Sequence, residues 1–238
     1  MKILMKLILI VCAVLFAAGP ASALLYETCS GWDCIKTDGV QDNKDFFTTV
    51  RYGDNLNVGT WELAIWDATV TEAGPQVQDN YVWSKWEPES FGVSYDPTDG
   101  KVILDVSGKS LSYYYDSYKA FEYIAVLAKA DQNDNHVHID LDDMAVNGTT
   151  PLPYVHALDS YQGLRIFLDD SEQQNGFSLS GTFFFDWLNA PKNEIPAFHV
   201  FAMNTHDLAP VPEPATMLLL GTGLVGLAGI GCKKFFKK

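Results

Sequence analysis

A chain of 238 residues with 47% hydrophobic and 13% aromatic residues can bury the core of one or two domains, which excludes a disordered, collagen-like or coiled-coil protein. Its formal net charge is −14, and residues 24–208 are more acidic still, with 10 lysines and arginines against 29 aspartates and glutamates. Because phosphate binding needs a basic surface, this charge excludes nucleic acid as a partner.

Residues 1–23 predict a secretory signal peptide. Lys2 and Lys6 precede an apolar run over residues 7–18, and Ala21-Ser22-Ala23 follows as a small-residue cleavage site. The alternatives are an N-terminal membrane anchor and a buried helix, but a run of 12 residues is too short to cross about 30 Å of hydrocarbon. We therefore predict cleavage after Ala23 and export of the remaining chain.

Residues 24–59 predict an irregular N-terminal segment that contains a disulfide. Cys29 and Cys34 are the cysteines that the exported core keeps, since Cys12 belongs to the signal peptide and Cys232 to the C-terminal tail. They flank a glycine-containing turn, and an oxidising compartment favours their bond. So small a loop contributes about 2 kcal/mol to stability. The alternatives are half of a metal site and a redox pair, for which the CxxC spacing is missing.

Residues 60–204 predict an all-β domain. The candidate strands are rich in β-branched and aromatic residues, and most alternate between apolar and polar positions. They cover residues 60–67, 81–86, 91–95, 101–106, 121–129, 136–144, 164–168, 177–185 and 197–203. Pro97 and Asp99-Gly100 predict a hairpin, whereas residues 113–120 fit a short helix or another strand. Nine strands without a long amphipathic helix predict an antiparallel two-sheet β-sandwich, jelly-roll-like in its connections.

One strand of this domain carries a polar face whose residue types are candidate metal ligands. His136, His138, Asp140 and Asp142 alternate with apolar residues and therefore point to one side of the strand. The run approaches the HxHxDH motif of metallo-β-lactamase-like hydrolases, but Leu141 occupies the final histidine position. We interpret it as the solvated face of a half-buried strand.

The loop before this strand is a weak candidate for calcium. Asp131, Asn133 and Asn135 offer oxygen ligands at alternate positions, and Asp142 lies where a twelfth-position ligand would fall. An EF-hand is excluded because His136 replaces the required glycine and a bidentate glutamate is absent. A calcium site of another kind, here or at Asp169-Asp170, stays open, and no other cofactor is predicted.

The aromatic residues raise a further possibility, which is carbohydrate binding. Six tryptophans and the run Tyr113-Tyr114-Tyr115 supply flat rings that can stack on sugars, although rings of this kind also fill the core of a sandwich. Trp61 and Trp66 are predicted on opposite faces of one strand, and so are Trp83 and Trp86, so that one of each pair points outward. Nucleophile-elbow and phosphate-loop motifs are missing, and we predict that the protein is not an enzyme.

The C-terminus combines three unlike segments. Residues 205–214 form a spacer that contains Pro212-Glu213-Pro214, and residues 215–232 form an uncharged run. As a helix this run of 18 residues spans about 27 Å, which is enough for a single transmembrane helix. The basic tail, residues 233–238, holds four lysines that should remain cytoplasmic.

This tail resembles the PEP-CTERM sorting signal, which carries a Pro-Glu-Pro motif, a transmembrane run and a terminal basic cluster in this order. The resemblance implies that the protein is a substrate of exosortase, a membrane-embedded cysteine transpeptidase of Gram-negative bacteria that make extracellular polysaccharide. It also implies that Pro212, Glu213 and Pro214 are the recognition residues and that the tail is removed. The alternative is a permanent single-span anchor.

The central strands resemble secreted β-domains of the choice-of-anchor families. The residues that carry this resemblance are Trp61-Glu62-Leu63-Ala64-Ile65 and the hairpin strand that begins at Phe91-Gly92-Val93. Those families pair one extracellular domain with interchangeable surface anchors, and the resemblance implies no defined activity.

These features predict an exported protein of the cell surface or extracellular matrix of a Gram-negative bacterium, with a structural or adhesive role in the envelope or biofilm matrix. Its expected partners are the exosortase, the membrane through residues 215–232, and extracellular polysaccharide. A carbohydrate-binding module for exopolysaccharide is the alternative function, and an extracellular hydrolase with paired carboxylates is a third.

Overall fold

Two antiparallel sheets make up most of the described chain. The computed structural model describes residues 24–37, 40–41, 43–53, 61–70, 74–115, 120–130, 137–148, 150–158, 160–188 and 196–204. The first sheet has the spatial order β1 (Leu25–Ser30), β14 (Tyr161–Phe167), β10 (Tyr123–Lys129), β16 (Ala197–Asn204), β4 (Asn43–Arg51), β5 (Leu63–Asp67) and β6 (Val77–Asp79). These pairings are antiparallel throughout, as predicted.

The second sheet has the order β12 (Thr150–Pro151), β11 (His138–Val146), β15 (Phe177–Asp186), β7 (Glu89–Asp96), β8 (Lys101–Val106) and β9 (Lys109–Tyr114), and β13 (Val155–Leu158) pairs with β11 as well. A two-residue pair, β2 (Lys36–Thr37) and β3 (Val40–Gln41), lies apart from both sheets. The all-β fold of two antiparallel sheets is therefore confirmed, and the jelly-roll connection stays a prediction.

The main core lies between the two sheets because alternate residues of each strand point inward. On β7 and β8 the inward residues are Phe91, Val93, Tyr95, Val102, Leu104 and Val106, each at most 5% exposed. Ile124 and Val126 of β10 meet them from the first sheet. The hydrophobic effect on these apolar side chains, of about 25 cal/mol per Å² buried, holds the sheets together.

The predicted hairpin joins β7 to β8 and is confirmed in detail. The carboxylates of Asp96 and Asp99 accept hydrogen bonds from the backbone N–H groups of Thr98 (2.8 Å) and Lys101 (3.1 Å). Gly100 has φ +67°, and a Cβ there would lie 2.4 Å from the carbonyl oxygen of Tyr115. A glycine is therefore required on both counts.

A second, smaller core lies on the outer face of the first sheet. Here Tyr123, Ala125 and Leu127 of β10 are fully buried although they point away from the main core. They are covered by a 3₁₀ turn, η1 (Gly31–Ile35), whose Cys34 and Ile35 pack on them. Because both faces of β10 are buried, its sequence is a continuous apolar run rather than an alternating one.

Two predictions about secondary structure are wrong, and one helix was missed. Residues 24–59 are not an irregular segment, because β1 and β4 belong to the first sheet and β4 lies inside it, between β16 and β5. Residues 81–86 are not a strand but an irregular segment. We call it the crossing segment, because it leads from β6 in the first sheet to β7 in the second. A short helix, α1 (Asp170–Asn175), was not predicted.

The helix α1 begins with a capping box. The side chain of Asp169 accepts a hydrogen bond from the backbone N–H of Glu172 (2.9 Å), and the Glu172 carboxylate accepts one from the N–H of Asp169 (3.0 Å). Both groups satisfy backbone donors that a helix start leaves open. Within the Asp169-Asp170 pair, considered above for calcium, Asp169 has this structural role.

Candidate functional site

A polar cluster lies on the outer face of the second sheet. Ile139 and Leu141 of β11 face the main core, so His138 and Asp140 point outward, as predicted. The antiparallel register places His156 of β13 opposite Asp140. It also places Asp186 of β15 opposite His138. Cross-strand pairing thus brings together two histidines and two carboxylates that are far apart in sequence.

Asp140 is the centre of this cluster and is only 4% exposed. Its Oδ1 accepts a hydrogen bond from the hydroxyl of Tyr154 and lies 2.5 Å from Nδ1 of His156, while its Oδ2 lies 3.5 Å from Nε2 of His138. These partners offset the cost of burying a carboxylate. The interpretation of this strand as a solvated polar face is therefore wrong for Asp140 and correct for Asp142, which is exposed.

The second carboxylate orients the first histidine. Oδ2 of Asp186 lies 3.3 Å from Nδ1 of His138. Oδ1 of Asp186 lies 3.2 Å from Nζ of Lys85, which follows Trp83 and precedes Trp86 in the crossing segment. Each nitrogen of the His138 ring thus faces one carboxylate, and this fixes the plane of the imidazole.

Four rings follow one another across this surface, and we call them the ring row: Trp86, His138, His156 and Tyr154. Successive ring centroids lie 5.1, 5.7 and 5.9 Å apart. Both ends are open to solvent, with Trp86 56% and Tyr154 51% exposed. A large aromatic side chain with half its surface in water is available for a ligand.

Trp86 is held in position by its backbone and its neighbours. It has φ +62°, in the left-handed region, which costs a residue with a Cβ about 1–2 kcal/mol. Its N–H donates to the carbonyl of Phe185 (3.3 Å), and its ring lies 5.8 Å from that of Phe184. Backbone strain of this kind is found where a side chain must take one particular place.

Negative charge lies beside Tyr154, at one end of the ring row. The pKa of Tyr154 lies above its ordinary value, first because of burial and then because of its hydrogen bond to Asp140 and the charges of Asp140 and Asp142. A phenol resists ionisation more strongly near negative charge. Tyr154 is therefore a neutral hydrogen-bonding ring at any physiological pH.

The described residues hold no group of three or more His, Cys, Asp and Glu side chains arranged for a metal ion. Of the calcium candidates, Asp131, Asn133 and Asn135 lie outside the described residues. Asp142 is described, and its Oδ1 accepts the N–H of Asp143 (2.8 Å) beside a β-bulge.

The two tryptophan pairs considered above differ in exposure. Trp83 is 4% exposed and Trp86 56%, so one of this pair is open to solvent as predicted, although residues 81–86 are not the strand on which that prediction was based. For Trp61 and Trp66 the corresponding prediction is wrong, because both are half-buried and touch each other, with ring centroids 5.7 Å apart. Strand β5 begins only at Leu63, so the alternation does not extend back to Trp61.

The disulfide between Cys29 and Cys34 is present, with Cα atoms 5.1 Å apart. It closes η1 onto the outer face of the first sheet, where the Arg165 guanidinium holds it. This guanidinium donates to the carbonyls of Cys34 (3.3 Å), Asp33 (2.8 Å) and Lys36 and to the Glu27 carboxylate (2.6 Å). We call this arrangement of disulfide, η1 and Arg165 the N-terminal clasp.

Sequence reasoning missed Tyr154, His156 and Asp186. A weak signal for the first two was present, because Tyr154 and His156 alternate with the apolar Val155 and Ala157. The run is short and follows two prolines, Pro151 and Pro153. Because proline is disfavoured in strands, residues 154–158 were not predicted as one.

The predicted targeting segments, residues 1–23 and 205–238, lie outside the described residues. Within the described ranges, no helix is both long and apolar enough to cross a bilayer.

Comparison with known proteins concerns the tail alone. A model of the PEP-CTERM protein-sorting motif matches residues 210–233, which include Pro212, Glu213 and Pro214. No curated protein matches this chain. The likeness of the central strands to choice-of-anchor domains stays a prediction. The C-terminal tail of this protein is a PEP-CTERM protein-sorting motif, which supports export, sorting by an exosortase and membrane-associated localisation at the surface.

Proposed function

We propose that this protein is a non-catalytic adhesive component of the envelope or extracellular matrix of a Gram-negative bacterium, and that it binds extracellular polysaccharide through the ring row. The observation that carries the proposal is the pair of half-exposed rings, Trp86 and Tyr154, at the two ends of a hydrogen-bonded cluster of histidine and aspartate.

This combination suits a sugar for physical reasons. The apolar faces of pyranose rings stack on aromatic side chains, while their hydroxyls need polar partners. Trp86 and Tyr154 supply the aromatic faces for stacking, and the imidazole of His156, whose side chain is 44% exposed, supplies a polar partner for the hydroxyls. The site is fixed before the ligand arrives, because strand pairing and buried hydrogen bonds hold its members, and preorganisation reduces the entropy lost on binding.

A binding role is favoured over hydrolysis by the state of the carboxylates. Glycosidases need one carboxyl group free to give a proton and another free to act as base or nucleophile. Here Asp140 is buried beneath Tyr154 and both histidines, and Asp186 lies against His138 and Lys85. The proposal requires no cofactor.

The proposal is tested by substitution of the two end rings. Trp86→Ala and Tyr154→Ala should each weaken binding to the purified exopolysaccharide of the producing cells by about tenfold, which corresponds to the loss of one stacking ring. Tyr114→Ala is the matched control, since Tyr114 is 59% exposed on β9 of the same sheet, outside the ring row. Affinity electrophoresis in gels that contain the polysaccharide measures the effect. Equal retardation of all four proteins would refute the proposal.

The processing of the tail is proposed from the same motif. We infer that the exosortase recognises Pro212, Glu213 and Pro214 and removes the segment that follows. Two prolines favour an extended chain outside any helix and leave Glu213 accessible at the membrane face. Terminal peptide mapping of protein from native cells should find cleavage near these residues. Recovery of residues 233–238 on the mature protein would instead indicate a permanent anchor.

A further inference from the structure

We propose that the polysaccharide bound by the ring row is a cationic amino-sugar polymer, one whose glucosamine-type units carry free amines. This inference rests on the proposed function and specifies its ligand. It is drawn from the charges that surround the exposed rings.

The first observation is the local excess of acid. Asp140 and Asp186 belong to the cluster itself, and Asp142 is exposed two residues further along the same face of β11. The cation that contacts the cluster, Lys85, is already paired with Asp186. A ligand that brings positive charge therefore meets an unbalanced field.

The second observation is that this field reaches the surface where a ligand would lie. The carboxylates of Asp140 and Asp142 both act on the half-exposed Tyr154, whose proton they hold more firmly. An ammonium group placed beside Tyr154 gains from the same two charges. The rings add to this attraction, because a cation over an aromatic face is stabilised by about 0.5–2 kcal/mol.

The third observation concerns the whole exported chain. Residues 24–208 have 29 acidic against 10 basic side chains, so that a polyanion is repelled before contact. A uronic-acid polymer is therefore disfavoured both at long range and in the site. A neutral polymer gains nothing from the charges, whereas a polycation is attracted by them at every distance within the screening length.

The test compares three ligands of equal length: hexamers of glucosamine with protonated amines, of N-acetylglucosamine, and of galacturonic acid. The full-length chain in detergent is titrated with each by calorimetry at low and at high salt. We expect the glucosamine hexamer to bind about tenfold more tightly than the acetylated one, and high salt to remove most of this advantage.

Two variants assign the preference to the site. Asp142→Asn should reduce the advantage of the glucosamine hexamer severalfold, whereas Asp105→Asn should leave it unchanged. Asp105 is the matched control because it is an exposed aspartate on β8 of the same sheet and gives the same change in net charge. An equal effect of the two variants would show a general charge effect and overturn the proposal.

The outcomes separate this inference from the proposed function. If Trp86→Ala weakens binding of the acetylated and the free-amine hexamers alike, and both bind equally to the parent protein, the ring row binds sugar but the inference is wrong. Tighter binding of the galacturonic acid hexamer would overturn it as well. If no hexamer binds while Trp86→Ala still weakens binding to the native exopolysaccharide, the inference alone is wrong. If Trp86→Ala leaves the affinity for that polysaccharide unchanged as well, the proposed function itself fails.

Discussion

The N-terminal clasp makes Arg165→Met a sensitive test of how the outer face of the first sheet is covered. Arg165 is 7% exposed on β14, and its guanidinium donates to three backbone carbonyls around η1 and to the carboxylate of Glu27. Methionine keeps most of the apolar stem and removes every donor. The substitution therefore isolates the hydrogen bonds from the packing.

The expected cost follows from those contacts. Hydrogen bonds to a charged group contribute about 1.5–3 kcal/mol each when buried, but the carbonyls near the surface regain water and Glu27 is half-exposed. We expect Arg165→Met to lower the free energy of unfolding by about 3 kcal/mol, which corresponds to about 9 °C in melting temperature for a domain of this size.

Urea denaturation of the exported chain, followed by tryptophan fluorescence, measures this cost. The matched control is Glu27→Gln, which breaks only the half-exposed ion pair at 2.6 Å and should cost less than about 1 kcal/mol. Reduction of the Cys29–Cys34 bond in the parent protein gives a third value, about 2 kcal/mol from the small closed loop.

Two results would contradict this reasoning. A loss of less than about 1 kcal/mol for Arg165→Met would mean that the carbonyls around η1 find water as easily as they find the guanidinium. An equal loss for Arg165→Met and Glu27→Gln would mean that the ion pair, and not the backbone contacts, holds the clasp.

Three further predictions concern pH and packing. Burial raises the pKa of Glu172. The protonated carboxyl therefore contributes stability at low pH, and this contribution is lost as the pH rises through the raised pKa. Urea titrations should find Glu172→Gln as stable as the parent at low pH and more stable at neutral pH. The hydrogen bond from Lys109 lowers the pKa of Asp79, so this pair stabilises the fold above the usual carboxyl pKa and loses that effect as the pH falls through the lowered value. Lys109→Met should abolish this small, salt-sensitive acid dependence in the same titrations. A Cβ on Gly163 would lie 2.3 Å from the Val126 carbonyl oxygen, so Gly163→Ala should cost about 2 kcal/mol in a thermal melt; an unchanged melting temperature would mean that β10 and β14 can separate locally.

Strands such as β8 could be predicted from the alternation of a single buried face, and β10, which is buried on both faces, from its continuous apolar run. Strand β8 was predicted with its observed bounds because its inward residues Val102, Leu104 and Val106 alternate with residues that face outward. Strand β4 was missed because Phe46 and Phe47 are adjacent and contribute to different cores, one on each face of the sheet. On the outer face Phe47 packs against Trp66 and Phe201, which come from other strands, so the local pattern cannot reveal its burial.

For the ring row and Asp140, too, the local sequence pattern predicts only part of the arrangement. The outward direction of His138 and Asp140 follows from period-two geometry and was predicted, but the burial of Asp140 depends on Tyr154 and His156, which arrive from another strand. Trp86 could be named as a candidate because a flat aromatic ring can stack on a sugar, yet its place beside His138 results from the crossing segment and its left-handed backbone.

The sequence by itself determined the C-terminal sorting motif, the all-β fold class and the disulfide of this protein. A sorting motif is recognised as a linear segment, and strand alternation and the short Cys29–Cys34 loop are also local, so one chain suffices to identify them. The tertiary structure alone decided which residues meet. Cross-strand register joins β11, β13 and β15 into the ring row, because hydrogen-bonded pairing places side chains next to each other irrespective of their separation along the chain.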